Sequence, residues 1–240
     1  MQSDSAPRDI KKKVTIEMTE DCIILQPGDN KYKYCLVFLH GINMNIQKFF
    51  YVFLSRELIG IMDDFKVVIP QAPKRVMTVS KGKTEYSWYD FKERNFDKPF
   101  AENFNCEHIK ESGEFITSIL NREVELLDND WSKIFLGGFS QGCAMSLYVG
   151  VPFPHKLGGV FNIAGYFMEI TPEATVDQDL LVIHGDNDDV RPWKQVQPTY
   201  KRIEGKETCK FVLIKGMRHD LYNDEVKKLV YQFLRERAKL

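Results

Sequence analysis

Residues 134–144 read Ile-Phe-Leu-Gly-Gly-Phe-Ser-Gln-Gly-Cys-Ala, an apolar run that leads into a serine flanked by glycines. The apolar run is typical of a buried strand, and residues 141–150 have the pattern of a helix. A chain that turns sharply from strand to helix needs small residues around the turn, and Gly138 and Gly142 supply them. The segment therefore predicts that Ser140 stands at a tight strand-to-helix turn, a position typical of catalytic nucleophiles.

The same alternation of strand and helix extends through most of the chain. Apolar runs predict buried strands at 34–39, 65–69, 133–136, 160–163, 180–183 and 211–214. Helical patterns occur at 47–62, 107–127, 141–150, 193–203 and 224–234. This order predicts the α/β class, with a mostly parallel central sheet covered by helices on both faces. Residues 14–18 and 22–26 predict an antiparallel hairpin at one edge of the sheet.

Size and composition predict a single domain. The chain has 240 residues, of which 43% are hydrophobic and 28% charged, an ordinary globular balance. We expect one domain over residues 1–240, in which residues 1–12 form a flexible N-terminal extension.

Residues 71–105 do not follow the alternation. They show no clear period, yet they contain seven aromatic residues. Long irregular segments in compact domains are often lids or binding loops. The alternative is a surface excursion held in place by its own aromatic side chains, and the sequence leaves both interpretations open.

Two later strands supply partners for the serine. An acidic loop, His184-Gly-Asp-Asn-Asp-Asp-Val190, follows the strand at 180–183, and His219 follows the strand at 211–214. A serine hydroxyl needs a base to take its proton, and the base needs an orienting acid. In the α/β-hydrolase fold these groups occur in the order serine, acid, histidine, each after a strand. The order predicts a triad of Ser140, His219 and one aspartate; spacing alone does not separate Asp186, Asp188 and Asp189.

The remaining catalytic element is the oxyanion hole. In this fold it consists of the backbone N–H of the residue after the nucleophile and one from the loop after an early strand. The first is Gln141. The strand at 34–39 runs into His40-Gly41-Ile42, so the backbone N–H of Ile42 is the second candidate, and we expect His40 to position this loop.

Composition argues against several other classes of function. A net charge of −1 gives no general attraction to nucleic acid, and no run of about 18 apolar residues predicts a membrane span. The five cysteines lack Cys-x-x-Cys spacing, which argues against a disulfide framework and a zinc site. Neither a signal peptide nor a lipidation motif is recognisable. We therefore expect a cytoplasmic protein without a metal or other cofactor.

Several of these segments resemble the acyl-protein thioesterase, carboxylesterase and lysophospholipase family of the α/β-hydrolase superfamily. The similarity runs from about residue 34 to the C-terminus. Its most specific elements are Gly-Phe-Ser-Gln-Gly at 138–142 and Ser-Trp-Tyr-Asp at 87–90. The resemblance implies that Asp188 is the acid of the triad. It also implies that Trp88 and Val190 line the acyl pocket.

The sequence departs from the family at three places. Ile-Asn-Met-Asn at 42–45 replaces a loop that usually contains glycine and aspartate, and Cys143 replaces a second glycine after the serine. Ser-Lys-Gly-Lys at 80–83 replaces a more apolar stretch, which argues against a long acyl channel. We expect Cys143 to be a buried, inert thiol rather than a reactive one.

The function expected from the resemblance is hydrolysis of acyl thioesters or carboxyl esters through an acyl-enzyme. Protein S-depalmitoylation is the leading hypothesis, and a short-chain carboxylesterase or lysophospholipase is the alternative. A catalytically silent binding protein of the same fold is the non-enzyme hypothesis. The expected partners are an acylated protein or a small ester or lipid, with transient contact at a membrane surface; the oligomeric state is not predicted.

Overall fold

The structure, a computed structural model, describes residues 14–94 and 100–240. The predicted N-terminal extension at 1–12 lies outside the described residues. The strands of the described chain are β1 Val14–Met18, β2 Cys22–Pro27, β3 Tyr34–Leu39, β4 Phe65–Pro70, β5 Lys74–Met77, β6 Lys83–Tyr86, β7 Ile134–Phe139, β8 Gly159–Ile163, β9 Leu180–Gly185 and β10 Cys209–Ile214.

Eight of these strands form one central sheet in the order β1-β2-β4-β3-β7-β8-β9-β10. The pairs from β4 through β3 to β10 are parallel. The first two strands are antiparallel to each other, and β2 is antiparallel to β4, which confirms the predicted edge hairpin. The architecture is that of the α/β-hydrolase fold. Its parallel strands end at the same edge of the sheet, so the residues that follow β3, β7, β9 and β10 meet there.

Helices cover both faces of the sheet. The α-helices of the described chain are α1 Ile46–Phe49, α2 Phe100–Asn103, α3 Cys106–Glu125, α4 Gln141–Gly150, α5 Trp193–Val196 and α6 Asp224–Ala238. Buried side chains of α3, α4 and α5 belong to one apolar core, and those of α1 and α6 belong to a second core on the opposite face. The longest helix, α3, begins where the Asn105 side chain accepts the His108 N–H at 3.1 Å, a typical N-cap.

Two predicted helices are wrong in length. The predicted helix at 47–62 is instead α1 followed by 3₁₀ turns at Phe50–Leu54 and Ile59–Asp63. Four residues of the first turn, Phe50, Val52, Phe53 and Leu54, are buried. Aromatic and β-branched residues, which make up most of this turn, are weak helix formers. The predicted helix at 193–203 is α5 followed by a 3₁₀ turn, because Pro198 at its start lacks the N–H that an α-helix needs.

The irregular segment after β4 is anchored to the core. It forms the separate hairpin β5-β6, and then Trp88, Tyr89, Phe91 and Phe104 return into the core that holds α3 and α4. Trp88 and Tyr89 have no exposed surface. For the described residues this favours an excursion held by its own aromatic side chains. Phe96 lies outside the described residues.

Candidate active site

Ser140 occupies a strained turn between β7 and α4. Its backbone has φ 55° and ψ −114°, outside the regions that non-glycine residues usually adopt. The turn is close-packed: a Cβ at Gly138 would lie 2.2 Å from the Gly142 carbonyl oxygen, and one at Gly142 would lie 2.1 Å from the Leu39 carbonyl oxygen. No side chain fits at either position, which explains why this serine has glycines on both sides.

His219 connects Ser140 to Asp188. Its Nε2 atom lies 2.9 Å from the Ser140 Oγ, and its Nδ1 atom lies 2.7 Å from the Asp188 Oδ2. With the proton on Nδ1, the ring donates to Asp188 and accepts from the serine hydroxyl. This is the tautomer in which histidine can serve as a general base. The ring of Phe139 packs against that of His219, with 4.9 Å between centroids.

The Asp188 carboxylate is held by the backbone of its own loop. Its Oδ1 atom accepts the N–H groups of Val190 at 2.9 Å and Arg191 at 2.7 Å. Burial by itself raises the pKa of Asp188, but the hydrogen bonds from His219 and Arg191 outweigh it and lower the pKa below the ordinary value. The carboxylate therefore stays ionised and fixed in orientation. His184 in the same loop is buried and donates from Nε2 to the Arg191 carbonyl at 2.7 Å.

The other two aspartates of this loop have different contacts. The Asp186 carboxylate accepts the Gly216 N–H at 2.6 Å and so closes the turn that leads toward His219. Asp189 is exposed and pairs with the exposed Arg218 at 2.5 Å. Of the three aspartates that the sequence left open, Asp188 is the one that contacts the histidine.

The two predicted oxyanion donors flank the serine. Gln141 follows it directly, and Ile42 follows Gly41, where a Cβ would lie 3.2 Å from the Ser140 Cβ. Within the described residues neither the Ile42 nor the Gln141 N–H donates to a protein acceptor. Two backbone donors at the nucleophile are the arrangement that stabilises an oxyanion.

His40 fixes the loop that carries Ile42. The ring is completely buried, its Nε2 accepts the Ala72 N–H at 2.9 Å, and its Nδ1 donates to the Gly41 carbonyl at 2.7 Å. Burial lowers the pKa of His40 to about 4, so the ring is neutral at pH 7. These contacts agree with the loop-positioning role expected from the sequence.

Trp88 does not lie where the resemblance implied. Its side chain is fully buried and is not among the residues that line the cavity at Ser140. Its indole Nε1–H donates to the His40 carbonyl at 2.8 Å, and its backbone N–H donates to the Gln141 Oε1 at 2.9 Å. The large ring fills the core behind the oxyanion loop, so the structure gives Trp88 a positioning role in place of the expected lining role.

A small cavity of about 130 Å³ opens at Ser140. Its described lining consists of Gly41, Ile42, Met44, Phe91, Arg94, Phe139, Ser140, Gln141, Val190, Arg191 and His219. Val190, the other residue that the resemblance implied, lies on this lining. Lys81 and Lys83 are exposed on and beside β6 and do not contribute to it. Arg191 also lies on this lining and was missed, because the sequence does not show that this charged residue is buried.

Cys143 and possible metal ligands add no further chemistry to the site. Cys143 is fully buried beneath the serine turn, and burial raises the pKa of its thiol to about 12. The thiol is therefore protonated at neutral pH and inert, as expected. In residues 14–94 and 100–240, no three histidine, cysteine or acidic side chains are grouped so as to hold a metal ion.

The mostly parallel sheet and the serine at its strand-to-helix turn define the class, a serine hydrolase of the α/β-hydrolase fold. The chain belongs to the phospholipase/carboxylesterase family, whose model matches residues 20–237.

Curated relatives carry a more specific name. The chain is 30% identical over 171 residues to acyl-protein thioesterase 1 homolog 1 of Dictyostelium discoideum, covering 67% of this chain and 72% of that protein. It is 27% identical over 233 residues to acyl-protein thioesterase 1 of Candida albicans, covering 89% and 96%.

Among solved structures, Arabidopsis thaliana SOBER1 superposes with a TM-score of 0.71. The two chains are 21% identical, and the match covers 85% of this chain and 99% of that one. At this identity the similarity establishes the fold. No helix within the described ranges is long and apolar enough to cross a membrane.

Proposed function

We propose that this protein hydrolyses acyl thioesters or carboxyl esters, with Ser140 as nucleophile, His219 as general base and acid, and Asp188 as the orienting acid. The observation that carries the proposal is the position of His219, within hydrogen-bonding distance of both Ser140 and Asp188. Bond lengths of this kind are those expected between a nucleophile, its base and the orienting group.

In the proposed mechanism His219 Nε2 takes the hydroxyl proton as the Ser140 Oγ attacks the acyl carbonyl. The backbone N–H groups of Gln141 and Ile42 donate to the oxygen on which negative charge develops, and each such donor contributes roughly 10²- to 10³-fold in rate. His219 then protonates the leaving thiol or alcohol. Water hydrolyses the acyl-enzyme with His219 again as base, while Asp188 holds the imidazolium.

The leading proposal for the substrate is an acyl thioester on a protein. It is supported by the relatives named acyl-protein thioesterase 1. We place the enzyme in the cytoplasm within the same proposal, because Cys22, Cys35, Cys106, Cys143 and Cys209 are free thiols, which is typical of a reducing compartment.

A short-chain carboxylesterase is the second candidate, and the cavity favours it. A volume of about 130 Å³ is well below the roughly 300–1,000 Å³ of common ligand pockets. A long acyl chain would extend beyond this cavity, whereas a short acyl group fits inside it.

The test is a chain-length series of p-nitrophenyl esters and matching acyl thioesters, assayed on the wild type, Ser140→Ala and a control, Ser118→Ala. Ser118 is exposed on α3 and does not line the cavity at Ser140. We expect activity to fall at least thousandfold in Ser140→Ala and to be unchanged in Ser118→Ala. A peak at long-chain thioesters supports the thioesterase, and a peak at short esters supports the carboxylesterase. Activity retained in Ser140→Ala would contradict the mechanism.

A further inference from the structure

The side chain of Gln71 joins both ends of the loop that carries the proposed oxyanion donor. Gln71 follows β4 directly and is buried. Its amide nitrogen donates to the His40 Nε2 at 2.8 Å and to the Met44 carbonyl at 3.2 Å. Its amide oxygen accepts the Ile46 N–H at 3.2 Å. One side chain thus holds the loop on both sides of Ile42.

The partners of His40 fix which of its ring nitrogens carries the proton. Nδ1 lies 2.7 Å from the Gly41 carbonyl, which can only accept, so the proton is on Nδ1. Nε2 lies 2.9 Å from the Ala72 N–H, which can only donate, so Nε2 is an acceptor. The Gln71 amide supplies a second donor to Nε2. Gln71 and Ala72 together therefore favour the tautomer in which His40 donates to Gly41.

The Gly41 carbonyl and the Ile42 N–H belong to the same peptide bond. In a planar trans peptide these two groups point in opposite directions, so fixing one also fixes the other. The Gly41 carbonyl accepts from the His40 Nδ1 at 2.7 Å and from the Met44 N–H at 3.3 Å. Gln71 contacts both of these donor residues, the first at its ring and the second at its carbonyl. The direction of the Ile42 N–H therefore depends on Gln71.

We propose that Gln71 is a positioning residue for the oxyanion hole, which acts by orienting His40 and Met44 against the peptide that carries the Ile42 N–H. Gln71 is not among the described residues that line the cavity at Ser140, so it acts through these neighbours rather than on the substrate. This role rests on the function proposed above, because an oxyanion forms only when the serine attacks an acyl carbonyl. A misplaced donor weakens binding of the transition state more than binding of the substrate, so loss of Gln71 should lower kcat and leave KM nearly unchanged.

Gln178 offers a matched control at the opposite edge of the sheet. Its buried amide also donates two hydrogen bonds, to the carbonyls of Phe153 at 3.3 Å and His155 at 2.8 Å, and accepts the Leu157 N–H at 3.0 Å. These residues precede the strands β8 and β9, whereas the catalytic residues follow their strands. Gln178→Met therefore removes as many hydrogen bonds as Gln71→Met without disturbing the site.

The kinetic test measures kcat and KM with p-nitrophenyl butyrate for the wild type, Gln71→Met and Gln178→Met, after subtraction of the rate with Ser140→Ala. In Gln71→Met we expect kcat to fall roughly 10- to 100-fold, because the donor is displaced rather than removed. Gln178→Met should keep the wild-type kcat.

A second kinetic measurement uses propyl trifluoromethyl ketone, which mimics the transition state. The Ser140 Oγ adds to its carbonyl carbon, the hydroxyl proton passes to His219, and the negative charge stays on the ketone oxygen. The inhibition constant should rise in Gln71→Met by a factor similar to the fall in kcat, because both depend on the same oxyanion donors. Gln178→Met should leave it unchanged.

Nitrogen NMR of isotope-labelled histidine tests the connection to His40 directly. The signals of His40 are those that disappear in His40→Gln. In the wild type we expect the proton on Nδ1. The Nε2 signal should move in Gln71→Met, which removes one of its two donors, and stay in place in Gln178→Met. A side chain that only fills space would not have this effect.

The outcomes separate this role from the proposed function. A wild-type kcat in Gln71→Met, an equal loss of kcat in Gln178→Met, or a wild-type His40 with its proton on Nε2 would each overturn the role of Gln71. Each of these results leaves Ser140-dependent hydrolysis standing. If the wild type shows no Ser140-dependent hydrolysis, the proposed function fails and the role of Gln71 in it fails as well.

Circular dichroism checks that each variant is folded. If Gln71→Met is unfolded, Gln71→Glu takes its place, since it keeps an acceptor for the Ile46 N–H but has no N–H to donate to His40 and Met44. The same fall in kcat is expected, and a wild-type kcat in folded Gln71→Glu would overturn the role.

Discussion

The side chain of Gln141 holds the backbone of Trp88: the Trp88 N–H donates to the Gln141 Oε1 at 2.9 Å, and the Gln141 Nε2 donates to the Tyr89 carbonyl at 2.7 Å. Gln141 thus joins α4 to the segment that supports the oxyanion loop. Its side chain and its backbone have separate roles, because the proposed oxyanion donor is the N–H, which every substitution except proline retains.

We predict that Gln141→Ala lowers the free energy of unfolding by about 2–4 kcal/mol, because buried groups at 88 and 89 lose their partners. Urea denaturation measures this loss. The value of kcat should fall as well, by roughly 10- to 100-fold, since the loop is displaced although the N–H remains. A variant with unchanged stability and activity would show that this connection is unimportant.

The choice of Asp188 among three aspartates can be tested with three matched variants. Asp188→Asn should lower kcat by roughly a thousandfold or more, because an amide does not stabilise the imidazolium. Asp186→Asn should lower the free energy of unfolding by about 1 kcal/mol, because the hydrogen bond from the Gly216 N–H is weakened. This variant should keep most of its activity. Asp189→Asn removes an exposed ion pair and should change neither kcat nor the free energy of unfolding measurably. The account would be wrong if Asp186→Asn or Asp189→Asn gave the largest loss of kcat.

Position 142 requires glycine because the neighbouring backbone leaves no room for a Cβ atom, and not because of an unusual backbone conformation. Gly142→Ala would place a Cβ 2.1 Å from the Leu39 carbonyl oxygen, so the backbone at the serine must move. We expect activity to fall at least a hundredfold, with a clear drop in thermal stability. The matched control is Gly205→Ala, at φ +79° with no heavy atom within 4 Å of the added Cβ. It should cost only about 1 kcal/mol and leave kcat unchanged.

The lowered pKa of His40 predicts how the stability of the protein depends on pH. Its pKa of about 4 in the folded state lies below the ordinary 6.5, so on acidification the unfolded chain takes up the proton first. Stability is therefore lost as the pH falls from 6.5 to 4, by about 3 kcal/mol from this residue at 1.36 kcal/mol per pH unit. The pKa of His184 is also lowered, mainly by burial, and adds a loss in the same direction.

Urea denaturation at pH 7, 5.5 and 4.5 measures this dependence. His40→Gln should be less stable than the wild type at pH 7, since the contacts to Gly41 and Ala72 are disturbed. The free energy of unfolding of the variant should nevertheless fall less steeply as the pH is lowered, because its unfolded chain has no histidine at position 40 to take up a proton. Parallel pH profiles of wild type and variant would contradict the assignment.

The sequence predicted those features that depend on local pattern. The strands β3 and β4 and the helix α4 were predicted within one residue, because their apolar runs have clear ends. The strand β7 runs three residues beyond its predicted end, since Gly137 and Gly138 are poor strand formers whose small size is needed for packing. The ring of Phe161 would lie 2.3 Å from a Cβ at Gly137, a contact visible only in the folded molecule.

The candidate site was predictable to a similar extent. Chain order brought Ser140, an aspartate and His219 to one edge of the sheet. The resemblance singled out Asp188, whereas spacing could not, and the folded loop shows its contact with His219. Trp88 was misplaced because a motif identifies a residue without showing which way its side chain points. Arg191 was missed because its importance comes from its burial beside the nucleophile, and burial of a single charged residue has no local sequence pattern.

The central claim is that Ser140 is the activated nucleophile, and covalent labelling with a fluorophosphonate tests it most directly. We expect intact-mass analysis to show one adduct per chain, and peptide mapping to place it on Ser140. The adduct should be absent from Ser140→Ala and should form far more slowly on His219→Ala. Wild-type protein that is folded by circular dichroism but remains unlabelled, or carries its label on another residue, would contradict the account.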